Sequence, residues 1–233
     1  MLLGRTALGT CAYMGGIPAV LEPFCWSWGQ MVQFNAERFL DDKHYIHYDR
    51  ATISDHAPAR NQLASRFLGS FVLMLDCDHQ FSPDLLDRLL RIANEIDADV
   101  LSGVYLLKNP PHLPVLYEWV DLNGSEALQP LATFPPECEV LQIGSAGGGC
   151  LLVRRRVFER MADELHEGPF DRIKPYSEDH SFFVRCRRLG IPCWAALKVE
   201  CHHLRTAPLA VADQDWSGLM VSEPFEVGGF SRA

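Results

Sequence analysis

Five apolar residues in a row, Phe71-Val72-Leu73-Met74-Leu75, run straight into Asp76-Cys77-Asp78-His79. So short a run reads as a buried strand rather than a buried helix, which puts the acids at the strand's carboxyl end. Ser82-Pro83-Asp84 then opens a helix with a hydroxyl cap, a proline in the first turn and an acid near the positive dipole end. Leu85, Leu86, Leu89, Ala93 and Ile96 give that helix one apolar face. In open α/β sheets, ligands sit beyond the carboxyl ends of the strands. Paired carboxylates at that position suit a hard divalent cation, Mg²⁺ or Mn²⁺, which would neutralise a bound diphosphate. An acidic turn with a helix cap is the simpler alternative.

The flanking chain continues the alternation. Residues 5–10 form a short apolar segment, and Pro18 to about Phe34 reads as a helix. His44 to Tyr48 reads as a strand, followed by a helix capped by Asp55 and running to Leu68. Asp99 to Tyr105 is the next strand. Residues 109–139 are rich in proline and predict loops and edge strands. Gly144 to Val153 combines a glycine cluster with a strand, Arg154 to Leu165 reads as a helix, and Trp194 to His203 as a last strand. Together these predict an α/β fold with a mostly parallel central sheet flanked by helices. The expected domain covers residues 1–207, with 208–233 a tail that serves as a lid or stays disordered.

Bulk composition narrows the function. The 233 residues are 48% hydrophobic and 22% charged, enough for one sizeable core. A net charge of −9 argues against non-specific nucleic-acid binding, and Arg154-Arg155-Arg156 reads as a solvated strand–helix junction. The eight cysteines include no Cys-x-x-Cys pair, and no signal peptide or membrane-length apolar run is visible. Reduced thiols and a cytoplasmic location are the expectation.

Three further groups carry chemistry. Glu178-Asp179 begins an amphipathic helix; the pair either stabilises the helix N-terminus or includes a carboxylate general base. In the last strand His203 shares a face with Leu197, Val199 and Cys201, as a buried histidine or as a metal ligand. Gly147-Gly148-Gly149 permits positive φ and close backbone approach to a ligand, or forms a tight turn. The glycines match neither a P-loop nor a dinucleotide fingerprint.

In order and spacing these motifs resemble the GT-A glycosyltransferases, especially the family 2-like group. The resemblance spans about residues 5–205: Leu8-Gly9-Thr10 with Gly15-Gly16, Ala59-Arg60-Asn61 before the Asp-Cys-Asp-His strand, Val104-Tyr105, the glycine cluster through Arg155, Ser177-Glu178-Asp179, and a late histidine. It implies a Rossmann-like fold and transfer of a sugar from a nucleotide-sugar donor, UDP- or GDP-linked, to an acceptor hydroxyl. Under it Asp76, Asp78 and His203 hold the metal, and Asp76 and Asp78 also hold the donor diphosphate. Asp179, with Glu178 beside it, resembles the base of an inverting enzyme. Gly148 and Gly149 resemble the wall under the transferred sugar, Thr10 and Arg60 stand where such enzymes meet the nucleotide, and Arg205 would assist the departing diphosphate. The second strand lacks an obvious acidic uridine-binding residue beyond Asp49. A nucleotidyltransferase making nucleotide sugars is a competing reading, but Gly15-Gly16-Ile17-Pro18 lacks the basic residue that class carries in its glycine loop. A non-catalytic sugar-nucleotide-binding protein is another, opposed by the intact acidic motifs.

Overall fold

The computed structural model describes residues 6–11, 18–39, 46–51, 55–67, 69–135, 137–204 and 208–209. Helices α1 (Pro18–Phe39), α2 (His56–Arg66), α3 (Leu85–Glu95), α4 (Arg155–Arg160) and α5 (Glu178–Arg188) surround strands β1 (Thr6–Cys11), β2 (Ile46–Ala51), β3 (Phe71–Asp76), β4 (His79–Phe81), β5 (Val100–Val104), β6 (Leu116–Leu122), β7 (Ser125–Pro130), β8 (Val140–Ile143), β9 (Ser145–Ala146), β10 (Cys150–Arg154), β11 (Cys193–Leu204) and β12 (Pro208–Leu209). The main sheet runs β2-β1-β3-β10-β5-β11-β12, with β4 and β8 also paired to β11, and β7-β6-β9 form a smaller sheet.

The α/β architecture expected from the sequence is present, but the main sheet is mixed rather than purely parallel. β1 is parallel to β2 and β3, and β5 to β11, whereas β10 lies antiparallel between β3 and β5. The chain reaches β10 through short strands and a glycine loop, without a helical crossover, so it enters the sheet in the opposite direction.

β3 shows how the core is divided. Its residues Phe71 to Leu75 are all buried, and they alternate between two apolar layers. Val72 and Met74 join a cluster with Leu63 of α2 and Phe182 of α5; Phe71, Leu73 and Leu75 join one with Met31 of α1 and Leu89 of α3. Each fully buried leucine contributes about 1.5–3 kcal/mol relative to an exposed one. Asp55 caps α2 by accepting the Ala57 N–H at 3.3 Å. α3 starts later than its proline suggests: Asp84 is the cap residue, and the Ser82 hydroxyl donates to its side chain. α4 continues as a π turn, Met161–Leu165.

Asn123-Gly124, both at positive φ, joins β6 to β7 as a two-residue hairpin. Of residues 208–233, expected as a tail, Pro208–Leu209 pair with β11 as β12 at the sheet edge, and 210–233 lie outside the described residues. No helix among the described residues is long and apolar enough to cross a membrane.

Register brings the key segments to one edge. Cys11 pairs with Asp76, Cys150 with Leu75 and Glu200 with Val104. The ends of β1, β3, β5 and β11 and the glycine loop before β10 therefore converge.

Candidate active site

At this edge Asp78, His79 and His203 place one ligand atom each within 4.8 Å of one another. β3 delivers Asp78 in the turn that follows it, β4 carries His79, and β11 carries His203, directly opposite His79 in the β4–β11 pairing. The two imidazoles stack with centroids 4.7 Å apart, and the Tyr105 ring meets both edge-on. His79 Nδ1 is 3.3 Å from Asp78 Oδ1, and His203 Nε2 is 3.4 Å from Asp78 Oδ2. Lys108 also bonds to Asp78 Oδ2. Burial opposes the charge of Asp78, but hydrogen bonds from His203, His79 and Lys108 outweigh it and hold the carboxyl well below its usual range.

This donor set fits a divalent cation. His203 Nδ1 is 2.9 Å from the Leu106 carbonyl, which assigns the proton to Nδ1 and leaves the Nε2 lone pair facing Asp78 when the ring is neutral. His79 is fully buried, and its Nε2 has no hydrogen-bond partner among the described residues. One carboxylate with two imidazoles suits Mn²⁺ better than Mg²⁺, which prefers oxygen.

Asp76, beside that trio, has its carboxylate held by a different partner. Its carboxylate accepts from Arg60 Nη2 at 3.0 and 3.2 Å, and Arg60 Nη1 donates to Glu178. Arg60, expected at the nucleotide, has a side chain that is 2% exposed, with both terminal nitrogens on these two carboxylates. Glu178 also takes His56, with Nδ1 3.4 Å away. Burial pushes the Glu178 pKa up, yet the His56 hydrogen bond and the Arg60 charge bring it down to about 2.

Asp179 is the second residue of α5, and both its neighbours in sequence are anchored. Glu178 is tied to Arg60, and His180 Nδ1 lies 2.7 Å from the Ser145 hydroxyl. Burial lowers the His180 pKa, which favours its neutral form. Asp179 Oδ1 accepts from the Ser177 hydroxyl and from the His180 N–H, while Oδ2 accepts no bond among the described residues. Asp179 lies close enough to the two tyrosines to add to their pKa shifts. Burial first, then the charges of Asp76 and Asp179, raise the Tyr105 hydroxyl, and burial with Asp179 raises Tyr117 to about 12.

The glycines act by close approach, not by positive φ, which only Gly124 and Gly190 adopt among the described glycines. A Cβ on Gly149 would lie 2.7 Å from His79 and 3.1 Å from the Asp76 carboxylate; one on Gly148 would lie 2.5 Å from the Arg60 guanidinium. The loop therefore packs onto the site's own side chains. The Gly149 N–H also donates to the Tyr105 hydroxyl at 3.1 Å.

Of the residues singled out in the sequence, the structure brings Asp76, Asp78, Glu178, Asp179, His203 and the glycine loop to one edge. Thr10 holds the register position opposite Leu75, next to Asp76, and Asp49 lies opposite Gly9, farther from the edge. Arg205 and Gly15-Gly16 lie outside the described residues. His79, His56 and Lys108 were not foreseen as site residues. His79 directly follows the acidic motif and could have been found there; no periodicity marks the other two.

Comparison with known proteins agrees with this geometry. The family model described as "Glycosyl transferase family 2" matches residues 31–162, more than half of the chain. None of the curated proteins compared matches it. Among solved structures, A197 from STIV is similar with a TM-score of 0.55 and 19% identity, covering 91% of this chain and 92% of that one. GalNAc-T7 with UDP, GalNAc and Mn²⁺ has a TM-score of 0.59 and 11% identity, over 87% of this chain and 43% of that one. UDP-glucose pyrophosphorylase complexed with UDP-glucose has a TM-score of 0.51 and 10% identity, over 85% and 92%. At these identities the structural likenesses establish a shared fold alone. The family match, over a chain with the acidic edge just described, carries the assignment: this protein belongs to glycosyl transferase family 2.

Proposed function

We propose that the protein is a metal-dependent glycosyltransferase that moves a sugar from a UDP- or GDP-sugar to an acceptor hydroxyl with inversion at the anomeric carbon. The observation that carries this reading is the Asp78–His79–His203 group packed against Tyr105, the same tyrosine whose hydroxyl pKa Asp179 helps to raise.

Asp78, His79 and His203 would hold the cation, with Asp76 beside them and oriented by Arg60. When bound, the cation supplies positive charge at the donor diphosphate. Asp179 offers its unbonded oxygen to the acceptor hydroxyl and takes its proton. The acceptor oxygen forms its bond to the anomeric carbon as the bond to the diphosphate breaks, and the electron pair leaves with the nucleoside diphosphate. Thr10 at the end of β1 and Arg205 after β11 are the further donor contacts we assign. The glycine loop and the buried Tyr105 pack beside the cation group, joined by the hydrogen bond from the Gly149 N–H to the Tyr105 hydroxyl.

Thermal unfolding with UDP-, GDP-, CMP- and dTDP-sugars, each with Mn²⁺, Mg²⁺ or EDTA, tests this. A ligand at about 100 times its Kd stabilises by about 2.7 kcal/mol. We expect a shift with one nucleotide class that needs the metal, is larger with Mn²⁺, and disappears in Asp78→Ala. A folded protein that shifts with no donor under any metal condition would refute the reading.

A further inference from the structure

Four segments far apart in sequence meet at one guanidinium. Arg60 of α2 donates through Nη2 to both oxygens of Asp76 at the end of β3, and through Nη1 to Glu178 at the start of α5. The glycine loop covers the group: a Cβ on Gly148 would lie 2.5 Å from Cζ and 2.6 Å from Nε. Asp76 is two residues before Asp78, and Glu178 is one before Asp179.

An arginine that binds a diphosphate must present its fork to the ligand. This one is 2% exposed, lies under backbone, and uses both terminal nitrogens on protein carboxylates. A planar guanidinium holds two carboxylates in a fixed relative geometry, which a lysine ammonium, a point charge on a flexible stem, does not. The two carboxylates belong to the two halves of the proposed reaction, the cation end and the base end.

We propose that Arg60 is a positioning residue. By gripping Asp76 and Glu178 together it sets the separation between the acidic end of β3 and the base at the head of α5, and it does not touch the donor phosphates. This rests on the transferase reading above. A displacement of the reacting groups by about 1 Å costs on the order of 10²-fold in rate.

The test is a double-mutant cycle on kcat and donor KM, with Arg60→Lys, Glu178→Gln and the pair, using the nucleotide sugar that the wild type turns over. Thermal unfolding of each variant is the folding control. Arg60→Lys should lower kcat by about 10²-fold and leave donor KM within about threefold, the pattern of lost transition-state geometry. In the Glu178→Gln background the same change should cost little more, because both act through one contact. A donor KM raised about tenfold with kcat intact, or effects that simply multiply, would overturn the proposal. Should Arg60→Lys fail to fold, Asp76→Asn replaces it in the cycle, and non-additivity with Glu178→Gln is again the expected result. If the wild type turns over no donor, the transferase reading falls. The bridge is then judged from the unfolding temperatures of Asp76→Asn, Glu178→Gln and the pair, where additive losses would overturn it.

Discussion

At the scale of single residues, the site is a set of charges held by specific partners. His56 is a clear case. It begins α2, half-exposed, and the Glu178 carboxylate raises its pKa above 6.5, over the opposing effects of burial and Arg60. A folded value above the unfolded one makes protonation favour the fold. The contribution is fully present below about pH 6.5 and is lost as pH rises through the higher folded value. NMR titration should show a His56 midpoint above 6.5 that moves back toward it in Glu178→Gln. A midpoint indifferent to that substitution would mean the pair does not form in solution. At this scale the sequence announced residue type and neighbourhood well: Asp78 and Asp179 follow from acids placed at a strand end and a helix start. It did not announce partners. Nothing within the helix of Arg60 reveals that its guanidinium binds carboxylates 16 and 118 residues away.

Secondary-structure elements were legible wherever one face is strongly apolar. α3 and β3 are such elements, one with period 3.6 and the other continuously buried. The β6–β7 hairpin is the counter-example. Its strands are half-exposed, so alternation is weak, and the prolines of residues 109–139 suggest only loops and edges. The informative signal was the Asn123-Gly124 dipeptide, which favours a tight hairpin turn. Gly124 adopts φ +83°, and its N–H donates to the Asp121 carboxylate at 2.6 Å. A Cβ there meets nothing within 4 Å, so the cost of Gly124→Ala is conformational, not steric contact. We expect a loss of about 1 kcal/mol in denaturant unfolding; an unchanged midpoint would show that the turn relaxes freely. The antiparallel entry of β10 was less legible still. Its residues Leu151, Leu152 and Val153 read as a buried strand in either direction, and only the neighbours β3 and β5 decide the sense.

For the molecule as a whole, two paired carboxylates tie stability to acid pH. Asp78 and Glu178 both have folded pKa values below their unfolded ones, and Glu178 falls from 4.5 to about 2. The Glu178 contribution is therefore present above about pH 4.5 and is lost as pH falls toward 2, and that of Asp78 is lost only below its ordinary carboxylate range. For Glu178 alone the shift corresponds to on the order of 3 kcal/mol. The wild-type unfolding temperature should drop steeply between pH 5 and about 2, and more gently in Glu178→Gln; parallel curves would refute this account. Such acid sensitivity is a property of the assembled fold, since α5 must meet α2 before Glu178 is paired, and β4 and β11 must meet the end of β3 before Asp78 is. That is also the dividing line between what the chain's sequence determined and what tertiary structure decided. Local pattern, through hydrophobic period and turn chemistry, was enough to determine the strand–helix alternation, the acids at the end of β3, the carboxylates at the head of α5 and the histidine on β11. Tertiary structure alone decided that His79 joins Asp78 and His203, that Arg60 bridges Asp76 to Glu178, and that the glycines yield room to side chains. Those include contacts between segments 118 residues apart or more, and period and propensity describe only what lies within a few residues along the chain.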